Sequence, residues 1–134
     1  MMGAGLRSSP TRGRILLIED EPSVAAFLRT ALERRGYEIT CSESATDGLQ
    51  LLATRDFRGI ISDFRTPGGI TGADVHDWLM RHRPELASRI IFITGDTASA
   101  ETVALLARNG TPCVEKPFRI HQLMAAVENT IGKP

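Results

Sequence analysis

Lysine is nearly absent from this 134-residue chain: of its 16 basic residues only Lys116 and Lys133 are lysines, and the other 14 are arginines. Lys133 sits beside the carboxyl terminus and reads as a solvated charge, which leaves Lys116 as the ammonium group with a context to explain. An excess of either charge is missing too, because 16 Asp and Glu balance the 16 Lys and Arg. No net field then draws the molecule to duplex DNA or to anionic lipid, and neither is expected as a direct partner. Cysteine is limited to Cys41 and Cys113, which match neither a metal-ligand nor a redox spacing. Both thiols are expected to be structural, in a reducing cytoplasmic setting. No apolar run approaches the roughly 20 residues that cross a bilayer. Residues 1–13 lack the apolar segment of a secretory signal and read as a flexible leader, with one domain over 14–132.

Short apolar runs that stop at carboxylates or hydroxyls are what the sequence does contain. Ile15-Leu16-Leu17-Ile18 ends at Glu19-Asp20-Glu21, Ile60-Ile61 runs to Ser62-Asp63, and Ile90-Ile91-Phe92-Ile93 ends at Thr94. Continuous β-branched runs of this length suit strands covered on both faces. A strand over Tyr37–Cys41 and a brief one at Cys113-Val114 make five. Helices are expected between them. The first opens at Pro22-Ser23, buries Val24, Phe27, Leu28, Ala31 and Leu32, and stops near Gly36. The second runs over Ala45–Thr54 behind a Ser44 cap and buries Leu49, Leu51 and Leu52. The third carries Val75, Trp78 and Leu79 after Thr71-Gly72 and is bounded by Pro84, the fourth covers Ala98–Arg108, and the last covers Ile120–Ile131. Phe27, Trp78, Phe92 and Met124 are assigned to the core or its margin, and His76, His82 and His121 to the surface.

Alternation of strand and helix implies an α/β fold, a doubly wound parallel sheet with right-handed crossovers. In the flavodoxin-like order 2-1-3-4-5, the first and third strands flank the switch point, where ligands collect at the carboxyl edge. The trio Glu19, Asp20 and Glu21 would then share a crevice with Asp63, beside Thr94 and Lys116. Crowded carboxylates repel unless a cation holds them, and a hard divalent ion such as Mg²⁺ takes oxygen ligands. A carboxylate can act as a nucleophile toward phosphorus, and an ammonium and a hydroxyl are suitable donors to the transferred oxygens.

Together these residues resemble the receiver domain of two-component response regulators: Glu19-Asp20 in ILLIEDEP, Asp63 in ISDFRTPG, Thr94 in IFITGDT and Lys116 in VEKPF, over about Arg14–Ile131. The resemblance implies that Asp63 accepts a phosphoryl group from a histidine kinase or phosphotransfer protein. It also implies that Asp20, Asp63 and the backbone carbonyl of Arg65 bind Mg²⁺, with Glu19 acting mainly through water. Thr94 and Lys116 would bind the phosphoryl oxygens, and their movement would bias a two-state domain that switches an unidentified downstream protein. The protein would be a monomer or weak homodimer and not an enzyme beyond slow self-dephosphorylation. The TGDT and EKPF segments look most like receivers of hybrid histidine kinases. No output domain fits after Pro134, so action by contact is expected.

Two departures from the pattern matter. Cys113 stands where such domains commonly carry a switching Tyr or Phe, and a thiol cannot sweep out an aromatic-sized change. Arg65 and Asp96 lie two residues after Asp63 and Thr94, where a charge pair would modestly slow hydrolytic water. An aspartate-nucleophile phosphatase is the nearest enzyme alternative, but Arg65 occupies the place of its second carboxylate. A flavodoxin-like electron carrier is disfavoured because Glu19-Asp20-Glu21 would repel a flavin phosphate. A docking module that works without phosphorylation is the third reading, and the complete set of site residues weighs against it.

Overall fold

The computed structural model describes residues 13–64, 69–95 and 110–134. The readings that rest on Arg65, on Asp96 and on a helix over 98–108 lie outside these residues. Five strands are present: β1 (Arg14–Ile18), β2 (Glu38–Ser42), β3 (Gly59–Asp63), β4 (Ile90–Thr94) and β5 (Cys113–Glu115). They form one parallel sheet in the order β2-β1-β3-β4-β5, the expected flavodoxin-like order. Among the described residues the helices are α1 (Pro22–Arg34), α2 (Ala45–Thr54), α3 (Gly72–His82), the short α4 (Pro84–Ala87) and α5 (Ile120–Thr130).

Each face of the sheet buries its own apolar set, as the continuous runs require. Leu16, Ile18, Ile60, Ile90 and Phe92 pack with Ala45 and Leu52 of α2 and with Val75 and Leu79 of α3. Ile15, Leu17, Ile61, Ile91 and Ile93 pack with Leu28 and Leu32 of α1 and with Leu123, Met124 and Val127 of α5. The sheet residues in both sets are fully buried. Close approach of sheet and chain explains why β3 opens on glycine: a Cβ on Gly59 would lie 2.6 Å from Ile131 Cγ1.

Local chemistry sets the helix boundaries. Ser44 caps α2 by accepting the Asp47 N–H at 3.1 Å. Thr71 and Asp74 form a reciprocal capping box at the start of α3. Pro22 occupies the first turn of α1, where a missing N–H costs nothing. Pro84 has the same role in α4, so the expected boundary of the third helix is also the start of a further turn.

Some side chains depart from the expected burial. Phe27 is 55% exposed; Val24 and Leu28 on either side of it turn to the core, while Phe27 stands on the flank of α1 and lines an open cleft with Pro117 and Phe118. Cys41 is exposed on the edge strand β2 and is therefore a surface thiol. Leu49 and Leu51 are partly buried at the margin of the core that Leu52 enters fully. Phe92 and Met124 are buried as expected, and Trp78 is half-buried and stacked on His82 with ring centroids 4.6 Å apart.

The far edge of the sheet, where the strands begin, is tied to the carboxyl-terminal segment. Tyr37 donates its hydroxyl to the Gly132 carbonyl, and Arg58 Nε donates to the Ile131 carbonyl at 3.0 Å. Pro134 comes beside Gly13, where a Cβ would stand 3.8 Å from Pro134 Cα.

Candidate functional site

The carboxyl ends of β1, β3, β4 and β5 meet at the opposite edge. Glu19 prolongs β1 by one residue, donating its N–H to the Ser42 carbonyl at 2.9 Å. Its side chain turns back into the fold, where Oε2 accepts the Glu21 N–H at 3.1 Å, so this buried carboxylate organises the turn into α1. Asp63 closes β3, and the next residue is fixed by two backbone bonds: the Phe64 N–H donates to the Ile93 carbonyl at 2.9 Å and the Gly72 N–H to the Phe64 carbonyl at 2.7 Å. Asp63 is thereby held at the rim while Phe64 is buried edge-to-face against Phe92, with centroids 5.4 Å apart.

Lys116 arrives from the far side of β4. Its backbone N–H donates to the Thr94 carbonyl at 2.7 Å, and the peptide that follows, Lys116-Pro117, is cis. Its Nζ lies 3.3 Å from Glu19 Oε1, 3.4 Å from Asp63 Oδ2 and 3.8 Å from Glu21 Oε1. Thr94 is buried at the end of β4, and its Oγ1 meets Cys113 Sγ at 3.6 Å. Both stand on the sheet face that carries Phe92, since β4 and β5 pair Phe92 with Cys113 and Thr94 with Glu115.

Oxygen atoms of Glu19, Asp20 and Asp63 can all lie within 4.8 Å of one another. Burial pushes the Glu19 carboxyl up, and the Asp63 charge adds to this against the opposing Glu21 N–H and Lys116. Burial also works against the Lys116 charge, but Asp63 and Glu19 together outweigh it and hold the ammonium above its usual range. Three carboxylates around one ammonium leave a surplus of negative charge on hard oxygen donors, a set that suits a divalent cation such as Mg²⁺ better than a soft metal.

The structure thus brings together Glu19, Asp20, Asp63 and Lys116, with Thr94 and Cys113 beside them, while Arg65 lies outside the described residues. Glu21, the third carboxylate of the acidic run, faces Lys116 in the same crevice. One feature is not legible in the sequence. Thr94 and Cys113 touch, a contact set by strand register that no local pattern reveals.

A family model for the response regulator receiver domain matches residues 15–128. The chain belongs to this family. Among curated relatives, this receiver domain is 29% identical over 116 residues to the uncharacterized transcriptional regulatory protein YkoG of Bacillus subtilis, covering 87% of this chain and 50% of that protein. It is 32% identical over 111 residues to the KDP operon transcriptional regulatory protein KdpE of Escherichia coli, covering 83% of this chain and 48% of the other. The receiver domain therefore spans about half the length of these two relatives. A solved response regulator receiver domain from Clostridium thermocellum superposes with a TM-score of 0.77 at 26% identity, covering 88% of this chain and 93% of that one. No described helix is long and apolar enough to cross a membrane.

Proposed function

We propose that this receiver domain is a phosphoacceptor that takes a phosphoryl group onto Asp63 from a histidine kinase or phosphotransfer protein. The observation that carries this reading is the convergence of Asp63 with Glu19, Asp20 and Lys116 at one sheet edge. In the transfer, an Asp63 carboxylate oxygen attacks phosphorus. A P–O bond forms as the P–N bond to the donor histidine breaks, and the freed imidazole keeps its electron pair. Lys116 and Thr94 then donate to the phosphoryl oxygens, the first as a charge and the second as a directed hydroxyl.

Asp20 and Asp63, with the backbone carbonyl of Arg65, would hold Mg²⁺ directly, and Glu19 would act mainly through water. Bound there, the ion would neutralise the approaching anions. The modified domain would act by contact with a downstream protein, in the cytoplasm, as a monomer or weak homodimer without binding nucleic acid. It is a regulator that dephosphorylates itself slowly at most.

Intact-mass measurement after incubation with acetyl phosphate and Mg²⁺ tests the reading. One added phosphoryl group is expected, and none in Asp63→Asn or when the divalent ion is chelated. Equal labelling of Asp63→Asn would overturn the assignment.

A further inference from the structure

Thr94 Oγ1 faces Cys113 Sγ at 3.6 Å, close enough for a sulfur hydrogen bond in which either atom can donate. The backbone around this pair is fixed, because the Lys116 N–H donates to the Thr94 carbonyl at 2.7 Å and the Phe92 N–H to the Pro112 carbonyl at 3.0 Å. Rearrangement of the pair is thus confined to side-chain rotation. A threonine hydroxyl has one proton to give, whereas a thiol is a weak donor and a weak acceptor. Thr94 is buried, so water does not readily supply a substitute partner, and among the described residues Cys113 provides the one at hand.

We infer that Cys113 is a positioning residue that holds the Thr94 hydroxyl toward β5 in the resting domain and releases it to an oxyanion at Asp63. The inference rests on the phosphoacceptor reading for its consequence, though not for the hold itself. Hydrogen bonds to ionised acceptors are about twice as strong as neutral ones. The Thr94 proton therefore exchanges sulfur for a phosphoryl oxygen at small cost. The sulfur makes this hold soft. A hydroxyl at position 113 would hold Thr94 harder, and a hydrocarbon would not hold it at all. Control thus passes through one hydrogen bond of adjustable strength, where an aromatic side chain would act through volume.

Two measurements on the full chain test this. In the unmodified protein, three-bond couplings to the Thr94 methyl carbon report its χ1. A single rotamer is expected in the native protein and in Cys113→Ser, and rotamer averaging in Cys113→Val, which keeps comparable bulk without the polar atom. The same χ1 distribution in all three overturns the inference whatever phosphorylation does. The second measurement is binding of beryllofluoride, a phosphoryl mimic, in the presence of Mg²⁺. The dissociation constant is expected to fall about threefold in Cys113→Val and to rise about threefold in Cys113→Ser, the range of one net hydrogen bond. Both differences should vanish when Thr94 is also Ala. Differences that persist in the Thr94→Ala background overturn the inference. A native protein that never takes beryllofluoride removes the phosphoacceptor reading, and the χ1 result still decides the hold.

Discussion

Lys116 Nζ lies 3.4 Å from Asp63 Oδ2, although β4 stands between their two strands in the sheet. The same ammonium reaches Glu19, whose side chain is 1% exposed. One cation thus offsets two carboxylates from different strands. Lys116→Met leaves a buried carboxylate facing a second one, and should cost about 1–3 kcal/mol in urea unfolding without divalent ions. Removing the competing charge should also tighten Mg²⁺ binding, so added Mg²⁺ should stabilise the variant more than the native protein. Equal gains in the two proteins would show that Lys116 does not compete with the cation, and no gain in either would count against a cation site here.

Gly72 begins α3 under the Phe64 and Phe92 rings. A Cβ there would lie 2.7 Å from Phe64 Cδ1, and neither ring has room to retreat, since Phe92 is fully buried and Phe64 nearly so. Gly72→Ala should destabilise by about 1–3 kcal/mol, the usual range for overpacking. Phe64 follows Asp63 directly, so labelling by acetyl phosphate should fall as well. Phe64→Leu in the same chain should restore part of the stability, which a denaturation series can check.

Arg83 joins the end of α2 to the α3–α4 junction. Its Nη1 donates to the Leu52 carbonyl at 3.2 Å, its Nη2 to Asp56 at 3.1 Å and its Nε to Glu85 at 3.0 Å. Arg83→Ala should cost about 1–2 kcal/mol through carbonyls left without a donor and lost packing. Arg83→Lys should recover less than half of this, because an ammonium cannot reproduce the planar fork. Full recovery in lysine would show that charge alone matters.

The same contact predicts a small pH dependence. The Arg83 hydrogen bond holds the Glu85 carboxyl below its ordinary range. A folded-state pKa below the unfolded one stabilises the fold above the unfolded value, near 4.3, and the benefit is lost as pH falls through the folded value. Glu85 is largely exposed, so the effect should be only about 0.2–0.5 kcal/mol. Stability of the native protein and Glu85→Gln should differ at pH 7 and converge toward about pH 3. A gap that widens on acidification would contradict the sign.

Strand ends were legible because each buried run stops at a polar residue: Ile18 before Glu19, Ser62 before Asp63, Ile93 before Thr94. That fixes which groups reach the carboxyl edge, and the order of the sheet then gathers them. Phe27 lies outside the core because the buried stripe of α1 is narrow, running through Val24, Leu28 and Leu32, and an apolar residue at its border is not distinguished from one inside it by helical period. Pro84 signals a boundary in the sequence, yet the ring that ends one helix is preorganised for the first turn of the next. The Thr94–Cys113 contact depends on register between strands separated by a long stretch of chain, and no window of neighbouring residues contains it.

The clasp of Tyr37 and Arg58 on the Gly132 and Ile131 carbonyls has an engineering consequence. Residues 13 and 134 come together beneath the sheet, so the described backbone is close to a closed ring. A short linker from 134 back to 13 should allow circular permutation with new ends opened elsewhere. Reporters spliced at that seam would stand on the edge away from Asp63 and leave the acidic crevice uncovered.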